Sequence, residues 1–550
     1  MSSLPTGTPT SRTLGDRLLG GVEKWGNRLP DPLILFTGLF LIVAVLSTVF
    51  GALGTTVTVP GSEEGPVTVK PFFSGEGLSW FTTTLGENYI GFPPLVNVLP
   101  IILAVGVAEG SGLLGTSIRM MFGSAPRWLL PYAVAFVGVM GNLMSDTAFV
   151  VIPPLAALVF AAAGRHPMAG LLGGFAAAGA AFSTNLLPSP IDGNFAGITT
   201  SVIGALPSDL AIDPVTIVSN YWINIASSLV IILATGLLID RVLEPRLERM
   251  GVSRTRVDTT DLPDDGSVTS GDQPAPSGAS AGGKTTDEQQ DVDVEVTPQQ
   301  RRAVRWAMIA GAVFLALVLV AVLPAGSAWR NEEGAFLPRS PFMSSIVFLI
   351  VAFFLLTGIV YGKVAGTIQS GGDVGRLMGE GLKTMLTFLV LAFVLAQFLA
   401  LFTWSNLGTV AAVKGAEGLE SIGLTGPVVI LLFILLCAGV NLIITSGTSM
   451  WGLMAAVFVP MFALIGFEPA FVQAAFRIGD SSTQIITPLN PYLIVLLGMV
   501  RRYEPAAGLG TLISRLLPFT IVFFIVWTVT LGVFYAFDLP IGPGNGIHLD

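Results

Sequence analysis

The sequence predicts an all-α polytopic membrane protein with nine transmembrane helices and two re-entrant helical hairpins in inverted repeats. Three observations carry that expectation. The chain is 52% hydrophobic and only 11% charged. Several apolar runs reach the roughly 20 residues that a helix needs to cross a bilayer. A polar pattern also occurs twice: Asn142-Leu143 precedes Ser183-Thr184-Asn185 by the same spacing as Asn441-Leu442 precedes Ser482-Thr483. Polar residues at matching places in two apolar halves mark the broken helices from which secondary transporters build one midplane site.

The boundary between the halves is compositional. Residues 257–300 hold ten acidic residues and one basic one, Lys284, and so account for the whole net charge of −9. Poor in apolar residues and rich in Ser, Gly, Pro and Thr, this segment cannot bury enough surface to offset its ordering entropy. It reads as a disordered acidic cytoplasmic linker (242–300) between a first membrane repeat (1–241) and a second region (301–550). Within it, Gly278 to Thr285 fits a phosphate-binding-loop pattern. Neither a buried strand before it nor an apolar helix face after it is present, so no nucleotide is expected there. The spread of Arg12, Arg17, Lys24 and Arg28 and the long apolar run from Pro32 argue against a cleaved signal peptide.

Basic residues set the orientation. The N-terminus and both linker flanks, with Arg241, Arg246, Arg249, Arg301, Arg302 and Arg305, are expected to be cytoplasmic. Run 33–53 goes out, 55–93 lies outside, and 95–114 returns. Run 129–163 is long enough for two half-depth arms, but its middle is too polar for lipid, and Arg165 follows it. It therefore reads as a hairpin entering from the cytoplasm. Run 170–206 crosses outward, broken at 183–190, and 218–239 returns. In the second half, 304–322 is an extra crossing. Then 342–362 goes in, 384–404 goes out, 427–465 forms a hairpin broken at 441–449, 470–500 crosses inward broken at 481–491, and 516–537 ends outside. Reading each hairpin as a full crossing adds a charge violation per hairpin. The expected location is the inner, cytoplasmic membrane, with the N-terminus inside and the C-terminus outside.

Ionisable residues inside such spans are costly and mark pathways or pairs. They are Asp146 at the first hairpin break, Asp192 past the first helix break, and Arg477 with Asp480 three residues apart on one helix face. One reading is a structural pair of Arg477 with Asp480 or Asp192. The other places a substrate carboxylate on Arg477, whose fork donates two parallel hydrogen bonds, and a coupling cation or proton on an Asp. At the breaks, Asn142, Ser145, Ser183, Thr184, Asn185, Asn441, Thr445, Ser446, Ser482 and Thr483 are either helix caps or part of a substrate or ion site. Na⁺ is the candidate cation, near Asn142, Asn185, Asn441 and Asp480; H⁺ is the alternative, and no cofactor is expected. Trp451 is a packing residue or a stacking platform for an aromatic ring.

Two histidines and one cysteine, Cys437, leave no disulfide framework and no His-built metal site. No His-Glu-x-x-His occurs, so an intramembrane protease is not expected. A channel and a lipid-modifying enzyme using Asp and Arg are the alternatives to a transporter. Nothing points to nucleic acid.

Long strings then carry a family resemblance. Ser145 to Pro167, Val459 to Phe462 with Gln473 to Leu489, and Val22 to Pro30 resemble the AbgT family of transporters. The resemblance spans nearly the whole chain except 257–300. It implies a bowl-shaped homodimer with nine helices and two hairpins per protomer. It also implies import of p-aminobenzoyl-glutamate or efflux of sulfonamide-type folate antimetabolites, driven by an ion gradient through elevator-like alternating access. The family's functional positions map onto Asp192, Asn441, Trp451, Pro469, Arg477 and Asp480. One departure is Ser449-Met450, where the family pattern has an Ala-Lys pair before the tryptophan.

Overall fold

The computed structural model describes residues 32–549, apart from 61, 63–64, 124–125, 145–146, 181, 208–209, 211, 255–295, 337–339, 384 and 425. Ser145, Asp146, the N-terminal basic residues and most of the acidic segment, including Gly278 to Thr285, lie outside the described residues.

The first half contains α1 (Pro32–Ala52), a two-stranded β1–β2 hairpin (Thr56–Val57, Val67–Thr68), α2 (Gly75–Ile90), α3 (Pro93–Gly110) and α4 (Leu113–Gly123). There follow α5 (Leu130–Met140), α6 (Thr147–Ala162), α7 (Pro167–Ala180), α8 (Pro190–Ile203), α9 (Tyr221–Leu238) and, after a π turn, α10 (Glu244–Arg249). The second half contains α11 (Pro298–Val322), α12 (Pro341–Ser344), α13 (Ile346–Ala365), α14 (Gly371–Lys383), α15 (Leu386–Trp404) and α16 (Leu407–Ser421). It closes with α17 (Pro427–Asn441), α18 (Gly447–Leu464), α19 (Pro469–Gln484), α20 (Pro491–Arg501) and α21 (Leu509–Ala536). Among the described residues, seven helices are long and apolar enough to cross a membrane, or eight if the bent pair 75–110 counts as one span.

Packing repeats between the halves. Helix α1 lies on α15, and its counterpart α13 lies on α3. Helix α2 also packs on α15, as α14 does on α3. Helix α5 packs on α7 as α17 packs on α19, while α6 reaches across to α20 as α18 reaches across to α8. The two halves therefore interlock, and α9 meets α21. Helix α11 stands outside this exchange, on α13.

The breaks have local causes. Helix α8 begins at Ser189-Pro190 and α20 at Asn490-Pro491: a polar cap followed by a proline that suits a first helical position but cannot continue a preceding helix. The Asn490 side chain accepts from Tyr492 N at 3.0 Å. Ser446 caps α18 by accepting from Ser449 N at 3.3 Å.

Four short helices were not anticipated: α2, α4, α14 and α16. The stretch 55–93, expected only to lie outside, carries both the β-hairpin and α2, whose Ser74 cap accepts from Gly77 N at 3.1 Å. At the linker's edges, Glu244–Arg249 and Pro298–Gln300 are helical rather than linker. A capping box at Thr297 and Gln300 starts α11.

Each half also ends in a strap over the turn that precedes its broken helix. In the first, Arg165 donates to Glu244 (Nε to Oε2, 2.9 Å) and to Asp240 (Nη2 to Oδ1, 2.6 Å), and Glu244 Oε1 accepts from His166 N at 2.9 Å. In the second, Glu468 Oε1 accepts from Asn545 Nδ2 at 2.5 Å, Glu468 N donates to Ile547 O at 2.9 Å, and Leu549 N donates to Gly466 O at 3.0 Å. The partners lie 79 and 77 residues apart in the two straps.

Candidate substrate site

The breaks converge. Helix α19 is buried along its whole length, although one face carries Gln473, Arg477, Asp480 and Ser481, because both halves supply partners. Arg477 Nη1 donates to Asp192 Oδ1 and to Ser183 O, each at 2.5 Å, and Nη2 donates to Gln473 Oε1 at 3.3 Å. Arg477 and Asp192 are each 2% exposed. Asp192 also accepts from Ser189 N (2.8 Å), Ser189 Oγ (2.7 Å) and Asn224 Nδ2 (3.2 Å). Ser183 and Ser481 hydroxyls meet at 2.5 Å. The pair thus ties the first broken helix to the second.

Asp480 behaves differently from its neighbour on the same face. It is fully buried, and neither carboxylate oxygen has a hydrogen-bond partner. Its backbone carbonyl accepts from Asn441 Nδ2, which also donates to Thr483 Oγ1 at 2.9 Å, leaving Asn441 Oδ1 unpartnered. A Cβ added to Gly447 would stand 3.1 Å from Asp480 Oδ2. The carboxylate therefore rests against the first turn of α18, where the helix dipole favours negative charge.

The other residues singled out from the sequence fall into three places. Asn142, Thr445 and Ser446 line a cavity of about 420 Å³ with Phe182, Asn194, Gln484 and Tyr492, a size suited to a small organic molecule. Thr184, Asn185, Ser482 and Thr483 are buried in the packed shell. Thr184 Oγ1 donates to Asn224 O at 3.1 Å, and Asn185 Oδ1 accepts from Leu186 N at 2.7 Å. Trp451 and Pro469 lie apart from the cavity. Trp451 is sealed: its Nε1 donates to Thr199 Oγ1 at 3.0 Å and its ring packs on Phe476 with centroids 4.5 Å apart. Pro469 opens α19, eight residues before Arg477, or about 12 Å along a helix axis.

Sequence reasoning passed over Phe182, Asn194, Phe388, Gln484 and Tyr492, which line the cavity. Their types are unremarkable in apolar helices; for all but Phe388, which lies near the start of α15, the signal was their position within a few residues of a break. Among the described residues, no group of three or more His, Cys, Asp or Glu side chains is placed to hold a metal ion.

Comparison with known proteins follows the same lines. The model of the AbgT putative transporter family matches residues 17–275 and 275–549, meeting inside the acidic segment. The chain is 35% identical over 545 residues to the p-aminobenzoyl-glutamate transport protein of Escherichia coli (strain K12), covering 99% of this chain and 98% of that one. It superposes on the crystal structure of the Alcanivorax borkumensis YdaH transporter with a TM-score of 0.82 at 37% identity, covering 94% of this chain and all of that one. For Neisseria gonorrhoeae MtrF, from a class of antimetabolite efflux pumps, the TM-score is 0.83 at 34% identity, covering 96% of this chain and all of that one. This multi-pass membrane protein belongs to the AbgT putative transporter family.

Proposed function

We propose that this chain is an ion-gradient-driven secondary transporter of p-aminobenzoyl-glutamate or related aromatic acids, or an exporter of sulfonamide-type antimetabolites, working by elevator-like alternating access. The names of its relatives supply the substrate class. The observation that carries the coupling is the Asp480 carboxylate, buried without a hydrogen bond beneath a hairpin tip and beside the cavity. A buried charge of that kind calls for a cation or a proton. Asn441, whose Oδ1 is also unpartnered, is the natural second oxygen for Na⁺, with Asn142 and Asn185 as further candidates. Substrate occupies the cavity. In the conformation described, Arg477 takes a substrate carboxylate only by exchanging Asp192 for it.

The topology that fits this reading has nine crossings: α1, α3, α7 with α8, α9, α11, α13, α15, α19 with α20, and α21. The pairs α5–α6 and α17–α18 are the hairpins. Helix α5 has 11 residues and α17 has 15, about 16 and 22 Å, short of a hydrocarbon core of about 30 Å; α18, one of the seven helices long and apolar enough to cross, is read as a hairpin arm because its partner α17 is not. The N-terminus lies in the cytoplasm and the C-terminus outside, in the inner membrane, and the protomers pair as homodimers.

Uptake into proteoliposomes tests the proposal. Flux of p-aminobenzoyl-glutamate or a sulfonamide should saturate and should collapse when both the Na⁺ and H⁺ gradients are removed. Non-saturating flux would indicate a channel, and chemical change of the solute an enzyme; either overturns the reading.

A further inference from the structure

The cavity has a recognisable chemistry of its own. Three of its lining side chains are aromatic: Phe182, Phe388 and Tyr492. Tyr492 is held by its ring, stacked on Phe149 with centroids 5.1 Å apart and planes at 7°. Among the described residues, no Lys, Arg, Asp or Glu lines the space. Two of the amides that do line it have unpartnered carbonyl oxygens, Gln484 Oε1 and Asn194 Oδ1. The sense of Gln484 is fixed, because its Nε2 donates to a backbone carbonyl, Thr445 O, at 3.4 Å. Asn194 Nδ2 donates to Thr448 Oγ1 at 2.5 Å. The Gln484 amide is thus tied beside the tip of α18 through its nitrogen, leaving its oxygen as an acceptor; Asn194 meets a hydroxyl that accepts from its Nδ2, which turns its oxygen towards the cavity. An acceptor left unsatisfied in a buried place is destabilising, so each needs an N–H or O–H donor.

We propose that this cavity is a subsite for a neutral primary arylamine, with Gln484 as its specificity-determining residue. The ring lies among Phe182, Phe388 and Tyr492, and the two N–H groups of the amine go to the oxygens of Gln484 and Asn194. A primary arylamine is uncharged at neutral pH and supplies one flat apolar face and two donors for these two acceptors; the unpartnered Asn142 Nδ2 on the same wall is left for an acceptor elsewhere on the substrate. An analogue without the amino group leaves both oxygens unpaired, and a site built to hydrogen-bond a group rejects the analogue that lacks it. The inference rests on the proposed substrate class and deepens it. It assigns the amino end of the aromatic substrate to the cavity and leaves the acid end to the Arg477 side.

The test compares p-aminobenzoyl-glutamate with benzoyl-glutamate, and sulfanilamide with benzenesulfonamide, by equilibrium binding and by proteoliposome flux of the full chain. In the wild type, loss of the amino group should weaken binding about a hundredfold, the effect of two such unmet hydrogen bonds at about tenfold each. Gln484→Leu should bring that ratio towards one, while Gln484→Glu, which keeps an acceptor in place, should preserve a preference for the amine. Because Gln484→Leu also loses the contact to Thr445, the wild-type ratio stands as an independent reading that needs no variant. A wild-type ratio near one, with both members of a pair carried, overturns the subsite and leaves the transport reading intact. So does a ratio that stays as large in Gln484→Leu as in the wild type, the result expected if the amino group is recognised elsewhere. If neither pair binds or is carried, the substrate reading fails and takes the subsite with it.

Discussion

Asp192 and Asp480 both face the region of Arg477, and exchanging each for Asn should have opposite consequences for stability. Asp192 accepts four hydrogen bonds and is, among the described residues, the only ion-pair partner of a cation that is 2% exposed. Asp192→Asn removes the counter-charge and leaves a buried guanidinium, a change that typically costs about 3–5 kcal/mol when one partner of a buried pair is lost. Asp480 accepts no hydrogen bond through its carboxylate. Asp480→Asn therefore breaks no bond and relieves a desolvated charge, so its stability should stay within about 1 kcal/mol of the wild type or exceed it. Asn keeps the shape of both side chains, so neither change opens a cavity. Thermal unfolding in detergent, read beside gradient-driven flux and equilibrium substrate binding, separates the roles. Asp192→Asn should lower the melting temperature clearly. Asp480→Asn should melt normally and still bind substrate, but should no longer accumulate it against a gradient. If Asp480→Asn melts as low as Asp192→Asn, the assignment of the ion pair is wrong. If it melts normally and accumulates substrate normally, Asp480 has no part in coupling.

Gly447→Ala would place a Cβ 2.9 Å from Phe182 and 3.1 Å from Asp480 Oδ2; we expect a loss of about 1–3 kcal/mol from overpacking with transport strongly reduced, checked by unfolding and flux together. Burial holds the His166 imidazole below its usual range, with Arg254 acting in the same direction and the Val252 carbonyl, Glu244 and Glu248 acting against it. The folded chain therefore binds fewer protons there than the unfolded one. The associated stability is present above about pH 6.5 and is lost as pH falls from there through the folded value; His166→Gln should flatten that part of the melting-temperature profile. Deleting residues 257–295 should leave folding and flux nearly intact, measured by size exclusion and uptake. Cysteines placed at Ser62 and Asn331 should react with an impermeant thiol reagent from outside and one at Ser270 only from inside, against a quiet background because Cys437 is buried; outside labelling at Ser270 would reverse the orientation.

The apolar spans were legible because a membrane helix is written in consecutive residues. Run 33–53 became Pro32–Ala52, and run 516–537 overlaps Leu509–Ala536 up to its C-cap, Phe537. The broken helices were legible because a polar cap followed by proline recurs at both, at Ser189-Pro190 and Asn490-Pro491. Helices α2 and α14 were not: α14 is amphipathic, and α2 scatters Glu, Ser, Thr and Asn among its apolar residues, so an apolar-run reading passes over both. The partner of Arg477 was also beyond the sequence. Spacing puts Asp480 on the same helix face, three residues away, and Asp192 285 residues away; only the interlocking of the two halves decides between them. Trp451 shows the same limit, since a buried packing residue and an open platform have one spelling.

The two straps carry a consequence for biogenesis. A turn of the first half can be fastened once synthesis has passed residue 252, since Val252 O contacts His166 Nε2 at 3.2 Å and Glu244 holds Arg165. The corresponding turn at Gly466 to Glu468 waits for Asn545, Ile547 and Leu549. Through that interval α19, with its buried Arg477 and Asp480, has been made but its entry turn is unfastened. The first half can fasten its turn while the second is still being made, whereas the second waits until residues 545–549 have been added. Truncation by about ten residues at the C-terminus would then show as a defect in assembly, with the chain degraded soon after insertion, rather than as a transporter with altered kinetics.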